Sequence, residues 1–145
     1  MRKQPYITGT AALDISGNDW HQSETYRHFK NWFIAGVNYP DTWEVFGDLG
    51  LYDATEEVRK GLKGRMKVRN GILCADGVRT FLDMVWNSIV VRKREPYFTL
   101  ESFLYDQGEE RAVIEALKHF REAFPEDTRK VLDAYITKLV RETET

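Results

Sequence analysis

The longest regular apolar pattern in this chain follows Asp76, and it constrains the fold most. Apolar side chains recur with the period of an α-helix at Val78, Phe81, Leu82, Val85, Trp86 and Ile89. A helix with so continuous a stripe is stable when it packs against other elements, so this segment predicts the centre of a folded domain. Asp76 is a preferred N-cap residue, which predicts a helix from here through about Val90.

Length and composition predict one domain without cross-links. The chain has 145 residues, and 8 Phe, 7 Tyr and 4 Trp supply enough apolar surface for a core without disulfides or metals. We therefore expect a single domain over residues 1–145. The one cysteine, Cys74, excludes an intramolecular disulfide and favours a reducing compartment. No apolar segment is long enough to span a bilayer, and no signal peptide follows Met1, so we expect a cytoplasmic protein without a membrane partner.

Residues 1–22 are predicted to form an extended segment and a turn. Thr and Ile recur between Tyr6 and Ile15, which is typical of a strand, and residues 16–19 have turn composition. After the turn, Ser23 is a suitable cap for a helix. The aromatic residues of that helix recur at helical spacing, which places them in the core: Tyr26, Phe29, Trp32 and Phe33.

Residues 23–91 are predicted to be a mixed helical core. Two capping boxes, residues 41–44 and 53–56, predict short helices over residues 43–46 and up to about Leu62. Asn70 and Gly71 separate two short alternating segments and are typical of a two-residue hairpin turn, so one prediction is a hairpin over residues 67–74. A helix that begins at Gly71 is the alternative.

The C-terminal third, residues 97–142, is predicted to be helical. Thr99 caps a short helix over residues 100–105, a second helix covers residues 109–124, and Pro125 ends it and begins a third. The whole pattern predicts a helix-dominated α+β fold. In this fold, a small N-terminal antiparallel sheet or hairpin packs on about five to six helices.

The net charge of −2 conceals a basic stretch in the middle of the chain. Residues 59–69 contain six cations and no acid, and the cations are Arg59, Lys60, Lys63, Arg65, Lys67 and Arg69. Such a stretch is typical of a surface that contacts phosphate or an acidic partner, and a solvated surface at helix ends is the alternative. Residues 92–94 form a second basic cluster.

The sequence contains no recognisable metal or cofactor motif. His21, Glu24 and His28 have the spacing of one helix face, but a helix that begins at Ser23 leaves His21 off that face. We therefore expect no metal and no other cofactor. Cys74 is expected to be a small buried apolar residue rather than a nucleophile.

One enzyme hypothesis remains. His21 and His28 supply groups for general acid–base catalysis, and Arg27 supplies a cation for a developing phosphate charge. With the basic stretch holding the backbone, these residues indicate a metal-independent ribonuclease as the alternative function.

Two further groups of residues indicate contacts. Asp19, Trp20 and His21 combine an aromatic anchor with hydrogen-bonding groups, which is typical of an interface; packing of Trp20 on the next helix is the alternative. Arg79 and Asp83 are spaced i, i+4 beside the apolar stripe, so they predict a structural ion pair. An ordinary helical ion pair of small energy is one interpretation. Because their helix is so apolar, the alternative is a pair that is partly buried and orients the N-terminal loop.

Two stretches of the chain resemble a group of small bacterial proteins. The opening of that group is similar to residues 8–21, TGTAALDISGNDWH, and its second common segment is similar to residues 74–84, CADGVRTFLDM. Asn18 and Thr80 depart from the group, which has Gly and Ala there. The group is associated with antitoxin-like partners in toxin–antitoxin gene pairs. The resemblance implies a bacterial protein whose partner is another protein, such as a toxin encoded nearby.

Together these features predict a non-catalytic partner, antitoxin-like or inhibitor-like, that neutralises another bacterial protein by direct contact. The expected contact residues are Asp19, Trp20, His21, Lys60, Lys63, Arg65, Lys67 and Arg69. The alternative from another class is a nucleic-acid-binding protein or ribonuclease that uses residues 59–69 with His21 and His28.

Overall fold

The computed structural model describes residues 1–17, 28–104 and 106–144. Its first elements are β1 (Tyr6–Thr8), α1 (Gly9–Ser16), β2 (Phe33–Ala35), α2 (Trp43–Phe46), β3 (Leu51–Asp53), α3 (Thr55–Leu62) and β4 (Leu73–Ala75). Helix α4 (Gly77–Trp86) continues as a π-helical turn over Asn87–Val91, and α5 (Leu100–Phe103), α6 (Gln107–His119) and α7 (Arg129–Thr143) follow. Short 3₁₀ turns lie at Phe29–Asn31, Arg121–Ala123 and Glu126–Thr128. The helix-dominated α+β class and the helical C-terminal region are thus confirmed.

The four described strands form one mixed sheet in the order β2-β1-β4-β3. Strand β1 pairs antiparallel with β2, where Ile7 faces Ile34, and parallel with β4, where Ile7 faces Cys74. Strand β3 pairs antiparallel with β4. The prediction of an antiparallel sheet is therefore wrong for its central pair. A parallel pair needs a long crossover, and here the described part of the chain between β1 and β4 contains β2, β3 and three α-helices.

The predicted extended segment up to Ile15 is wrong beyond Thr8, because helix α1 begins at Gly9. This helix buries Ala11, Ala12 and Ile15 and packs against β4 and α4. Strand preference depends strongly on the surroundings, and here the burial of a small-residue helix face decides the conformation.

The predicted hairpin over residues 67–74 is also wrong. Residues 67–69 form no strand, and β4 pairs with β1 and β3 instead. The segment before β4 is bound to helix α3: the N–H groups of Gly71 and Ile72 both donate to Thr55 Oγ1 at 3.0 Å. Arg59 donates to the Val68 carbonyl and to Asn70 Oδ1. These side-chain contacts replace the cross-strand pairing that the Asn-Gly pattern predicts.

The helix predicted after Ser23 falls partly on residues 18–27, which lie outside the described residues. At its far end, Phe33 belongs to β2 and pairs with Thr8 of β1. Its side chain is 44% exposed, so the prediction of a helical core position there is wrong. The pairing with β1 turns Phe33 outward.

Helix α4 lies at the centre of the packing, as its stripe predicts. Phe81, Leu82, Val85 and Ile89 are at most 1% exposed, and they pack with residues of α6 and α7. Asp76 caps the helix as predicted, because its side chain accepts a hydrogen bond from the Arg79 N–H at 2.8 Å. The predicted helix over residues 109–124 ends earlier, at His119, and a 3₁₀ turn leads to the buried Phe124. No described helix is long and apolar enough to cross a membrane.

The turn between α2 and β3 packs tightly against the start of α4. Gly50 has φ +73°, and its carbonyl accepts a hydrogen bond from the Asp76 N–H at 2.8 Å. A Cβ on Gly50 would lie 2.5 Å from Asp76 Oδ1 and 2.7 Å from Arg79 Cβ. Only glycine combines this backbone conformation with so close an approach.

Gly50→Ala is therefore expected to destabilise the fold more than an alanine at another positive-φ glycine. We expect the free energy of unfolding to fall by roughly 3 kcal/mol, because the backbone is strained and the new Cβ collides with α4. Gly64 is the matched control: it has φ +81° and nothing within 4 Å of its Cβ position. Gly64→Ala should therefore cost about 1 kcal/mol from strain alone. Equal losses in urea unfolding of the two variants would contradict the tight packing at Gly50.

Candidate functional site

The predicted contact residues fall into two groups in the structure. Asp19, Trp20, His21 and Arg27 lie within residues 18–27, outside the described part of the chain. His28 is exposed, just before the 3₁₀ turn Phe29–Asn31. Of the proposed acid–base pair, the structure therefore describes His28 but not His21. The basic stretch, residues 59–69, is described in full.

The cations of the basic stretch have different roles. The Arg59 guanidinium is bound to Glu56 at 2.6 Å and braces the segment before β4. Arg65 donates to the carbonyls of Leu62 and Gly61 and so caps the end of α3. Lys60, Lys63, Lys67 and Arg69 are exposed, and in the described part of the chain none of them makes a side-chain hydrogen bond or ion pair. These four cations are available to a partner.

A groove of about 740 Å³ lies beside this stretch, between the sheet and helix α3. We call it the α3 groove. Its apolar lining is Pro5, Ile7, Phe29, Trp32, Ile34, Val58, Leu62, Met66, Val68, Ile72 and Leu73. The volume lies within the range of ordinary binding pockets, and the lining suits apolar side chains.

The border of the α3 groove is positive. Lys30, Lys67 and Arg69 line it, and among the described lining residues none is acidic. All three cations are exposed. Because exposed ion pairs contribute little affinity but strongly influence association rate and partner choice, this border favours an acidic ligand with an apolar face.

A cluster of buried polar side chains lies beneath the sheet and contains the predicted ion pair. Arg79 Nε lies 3.2 Å from Asp83 Oδ1, and both side chains are fully buried. Asp83 Oδ2 accepts hydrogen bonds of 2.8 Å from the hydroxyls of Tyr6 and Thr8, and Oδ1 accepts one of 2.5 Å from Thr42. The expected link to the N-terminal segment is thus made through β1.

The guanidinium of Arg79 has partners at all three nitrogens. Besides Asp83, it donates to the carbonyls of Gly47 and Leu49 at 2.7 and 2.8 Å and to the Tyr6 hydroxyl at 3.4 Å. Its Cζ lies 5.1 Å from the ring centroid of Tyr6. A buried guanidinium is tolerated when its donors are satisfied in this way.

The charges in this cluster are balanced within the fold, as in a structural ion pair. Burial raises the pKa of the Asp83 carboxyl, while the Arg79 guanidinium and the hydroxyls of Thr42, Tyr6 and Thr8 act in the opposite direction. Each of these side chains is at most 1% exposed. Together they join α4 to β1 and to the residue before α2.

Sequence reasoning missed most partners of this pair. Tyr6, Thr8 and Thr42 are distant from Asp83 in the chain, and a single threonine or tyrosine carries no sequence signal for a buried carboxylate. The α3 groove was equally hidden, since its walls come from separate segments. The one sequence feature that indicated a binding surface here was the absence of acids from residues 59–69.

Cys74 is buried in β4, as expected. It is 0% exposed, and burial raises the pKa of its thiol to about 12. A thiol at this pKa is almost wholly protonated at neutral pH and is a poor nucleophile. Of the spaced set His21, Glu24 and His28, only His28 is described, and no three metal-ligating side chains converge elsewhere among the described residues.

Comparisons with protein-family models, curated proteins and solved structures give no match for this chain.

The threonines around α4 allow a matched test of the buried cluster. Thr8 and Thr80 are both 0% exposed, but Thr8 donates to Asp83, whereas Thr80 Oγ1 has no hydrogen-bond partner in the described part of the chain. Thr8→Val should cost about 1–3 kcal/mol, because Asp83 loses a donor, and Thr80→Val should change stability by less than about 0.5 kcal/mol. Urea unfolding measures both, and similar losses would refute the role given to Thr8.

The thiol of Cys74 should be almost unreactive in the folded protein. At mildly alkaline pH, a pKa near 12 lowers the thiolate fraction about a thousandfold relative to an ordinary thiol, before steric protection is added. We expect a disulfide reagent such as Ellman's reagent to react with the native protein only as fast as it unfolds. In concentrated guanidinium the full thiol should react at once. Rapid reaction of the native protein would show that Cys74 is accessible.

Proposed function

We propose that this protein is a non-catalytic partner that binds and neutralises another bacterial protein, as an antitoxin or inhibitor does. The α3 groove is proposed to bind an acidic segment of that protein with an apolar face. The observation that carries this proposal is an apolar floor beside three exposed cations, Lys30, Lys67 and Arg69, with no acidic side chain among the described lining residues. The resemblance of residues 8–21 and 74–84 to antitoxin-like proteins supports the same class.

The floor of the α3 groove supplies affinity. If a partner segment buries about 300 Å² of apolar surface there, the gain is about 7 kcal/mol before the entropy of association is subtracted. The more accessible aliphatic side chains of this floor are Ile34, Val68 and Ile72, which are partly buried, and Met66, which is 52% exposed. They offer nothing to a phosphate, which favours a protein segment over a nucleic acid.

The border supplies selectivity. Lys67 and Arg69 line the groove and make no ion pair in the described chain, so an acidic partner need not displace an existing contact. Lys60 and Lys63 extend the same positive surface along the end of α3. Arg65 is left out of the proposed contact, because its guanidinium caps α3. Asp19, Trp20 and His21 remain proposed contacts on their chemistry alone.

The first test is complex formation with the protein encoded by the neighbouring gene. Lys67→Glu with Arg69→Glu should weaken the measured affinity at least about tenfold, because two attractive contacts become repulsive. Lys118→Glu with Lys130→Glu is the matched control: both lysines are exposed and lie away from the groove, and affinity should change less than about twofold.

Three results would overturn the proposal. The first is the absence of a complex in the wild type, and the second is equal weakening by the two double variants. The third is binding of a single-stranded RNA at low salt that Lys67→Glu with Arg69→Glu abolishes, since this would establish the nucleic-acid alternative. Sedimentation of the protein alone should show no self-association through the groove.

The chemistry of the occupant can be identified by photocrosslinking. Met66 lines the α3 groove and is 52% exposed, so a photoreactive amino acid at this position should crosslink to the bound segment. We expect the crosslinked peptide to be acidic with spaced apolar residues. The same amino acid at Lys130 should give no crosslink. A basic or wholly polar peptide at Met66 would refute the proposed occupant.

A further inference from the structure

A second cavity, of about 430 Å³, shares no lining residue with the α3 groove. It lies between the start of α1, the segment from Phe33 to Pro40 and the chain that follows α4. We call it the Arg92 pocket, and its key residues are Thr10, Phe33, Tyr39, Arg92, Arg94 and Tyr97. Among the described residues that line it, none is acidic.

Two arginines of the Arg92 pocket are free to bind an anion. Arg92 and Arg94 are exposed and make no side-chain hydrogen bond or ion pair in the described part of the chain. Lys93 between them has φ +55°, and its Nζ lies 3.4 Å from Asp127 Oδ2, so it is held away from the pocket. The backbone thus directs both arginines, and not the lysine, to one cavity.

The π-helical turn at the end of α4 fixes this arrangement. The Arg92 N–H donates to the Asn87 carbonyl at 2.9 Å and the Arg94 N–H donates to the Ser88 carbonyl at 3.0 Å. These two hydrogen bonds hold the backbone of Arg92 and Arg94 against the π-helical turn. The positions from which the two side chains extend are therefore fixed. Such π-helical insertions are frequent at functional sites.

Aromatic rings line the same cavity. Tyr97 is 83% exposed and Phe33 is 44% exposed, although rings of this size are usually buried in a core. Phe33 lies 5.1 Å from the ring of Tyr39, so it is held in place. Exposed aromatic rings beside unpaired guanidinium groups suit a ligand that has both a flat ring and an anionic group.

We propose that the Arg92 pocket binds a phosphorylated nucleoside, with its base against Phe33 and Tyr97 and its phosphate at Arg92 and Arg94. Guanidinium groups bind phosphate through paired hydrogen bonds, and a cavity of about 430 Å³ has room for one nucleotide. No side chain caps the start of α1, because the Thr8 hydroxyl donates to Asp83 instead. The positive end of this helix dipole therefore adds an electrostatic potential that favours a bound phosphate. This site is independent of the proposed function.

The test is calorimetric titration of the protein with AMP, GMP, CMP and UMP at low salt. We expect at least one mononucleotide to bind, and adenosine or inorganic phosphate alone to bind at least about tenfold more weakly. Arg92→Gln with Arg94→Gln should reduce affinity at least about tenfold, and Tyr97→Ala at least about fivefold. Arg111→Gln, at an exposed position on α6, is the control and should leave affinity unchanged.

A second arm identifies the source of the nucleotide. A short oligonucleotide with a 5′-phosphate that binds through the same arginines would identify a strand end as the ligand, and mononucleotide binding would identify the free form. The proposal is overturned if neither binds the wild type, or if the double variant, shown to be folded by its urea unfolding, binds as tightly as the wild type.

Discussion

The buried pair of Arg79 and Asp83 is the contact on which the remaining structure depends. Asp83 accepts hydrogen bonds from hydroxyl groups of β1 and of the residue before α2, and Arg79 donates to carbonyls of the turn that leads into β3. Helix α4 is thereby bound to three distant parts of the chain. Because removal of one partner leaves an uncompensated buried charge, the pair enforces this one arrangement more strongly than apolar packing alone would.

Both proposed binding sites follow from this arrangement. With β1 held against α4, its neighbour β2 directs Phe33 outward to the Arg92 pocket, while Ile7 and Ile34 line the α3 groove. The two sites have different chemistry: an apolar floor with a basic border in one, and aromatic rings with two arginines in the other. The two proposed sites therefore suit different ligands, an acidic protein segment in the α3 groove and a nucleotide in the Arg92 pocket.

Local signals predicted the central helix and the helical C-terminal third, but not α1. The stripe of α4, its Asp76 cap and the helix start at Thr99 depend on residues within a few positions of each other, and the structure contains all three. The capping boxes predicted over residues 41–44 and 53–56 are wrong, because Thr42 and Ala54 occupy the N-cap positions and neither makes a side-chain cap hydrogen bond. The Asn-Gly pattern failed because Thr55 and Arg59, which lie on another element, bind that segment. The basic stretch was visible in the sequence, but its division into structural arginines and available cations was not.

The sequence by itself determined the class of fold, the central helix, its cap and the ion pair on its side, because each follows from spacing along one helix. Only the tertiary structure decided the parallel pairing of β1 with β4, the residues that enclose Asp83 and the walls of both cavities. Those features join segments separated by dozens of residues. The physical reason is that such contacts depend on which apolar surfaces remain exposed after the helices have formed. Local sequence patterns do not show which of these surfaces pack against each other.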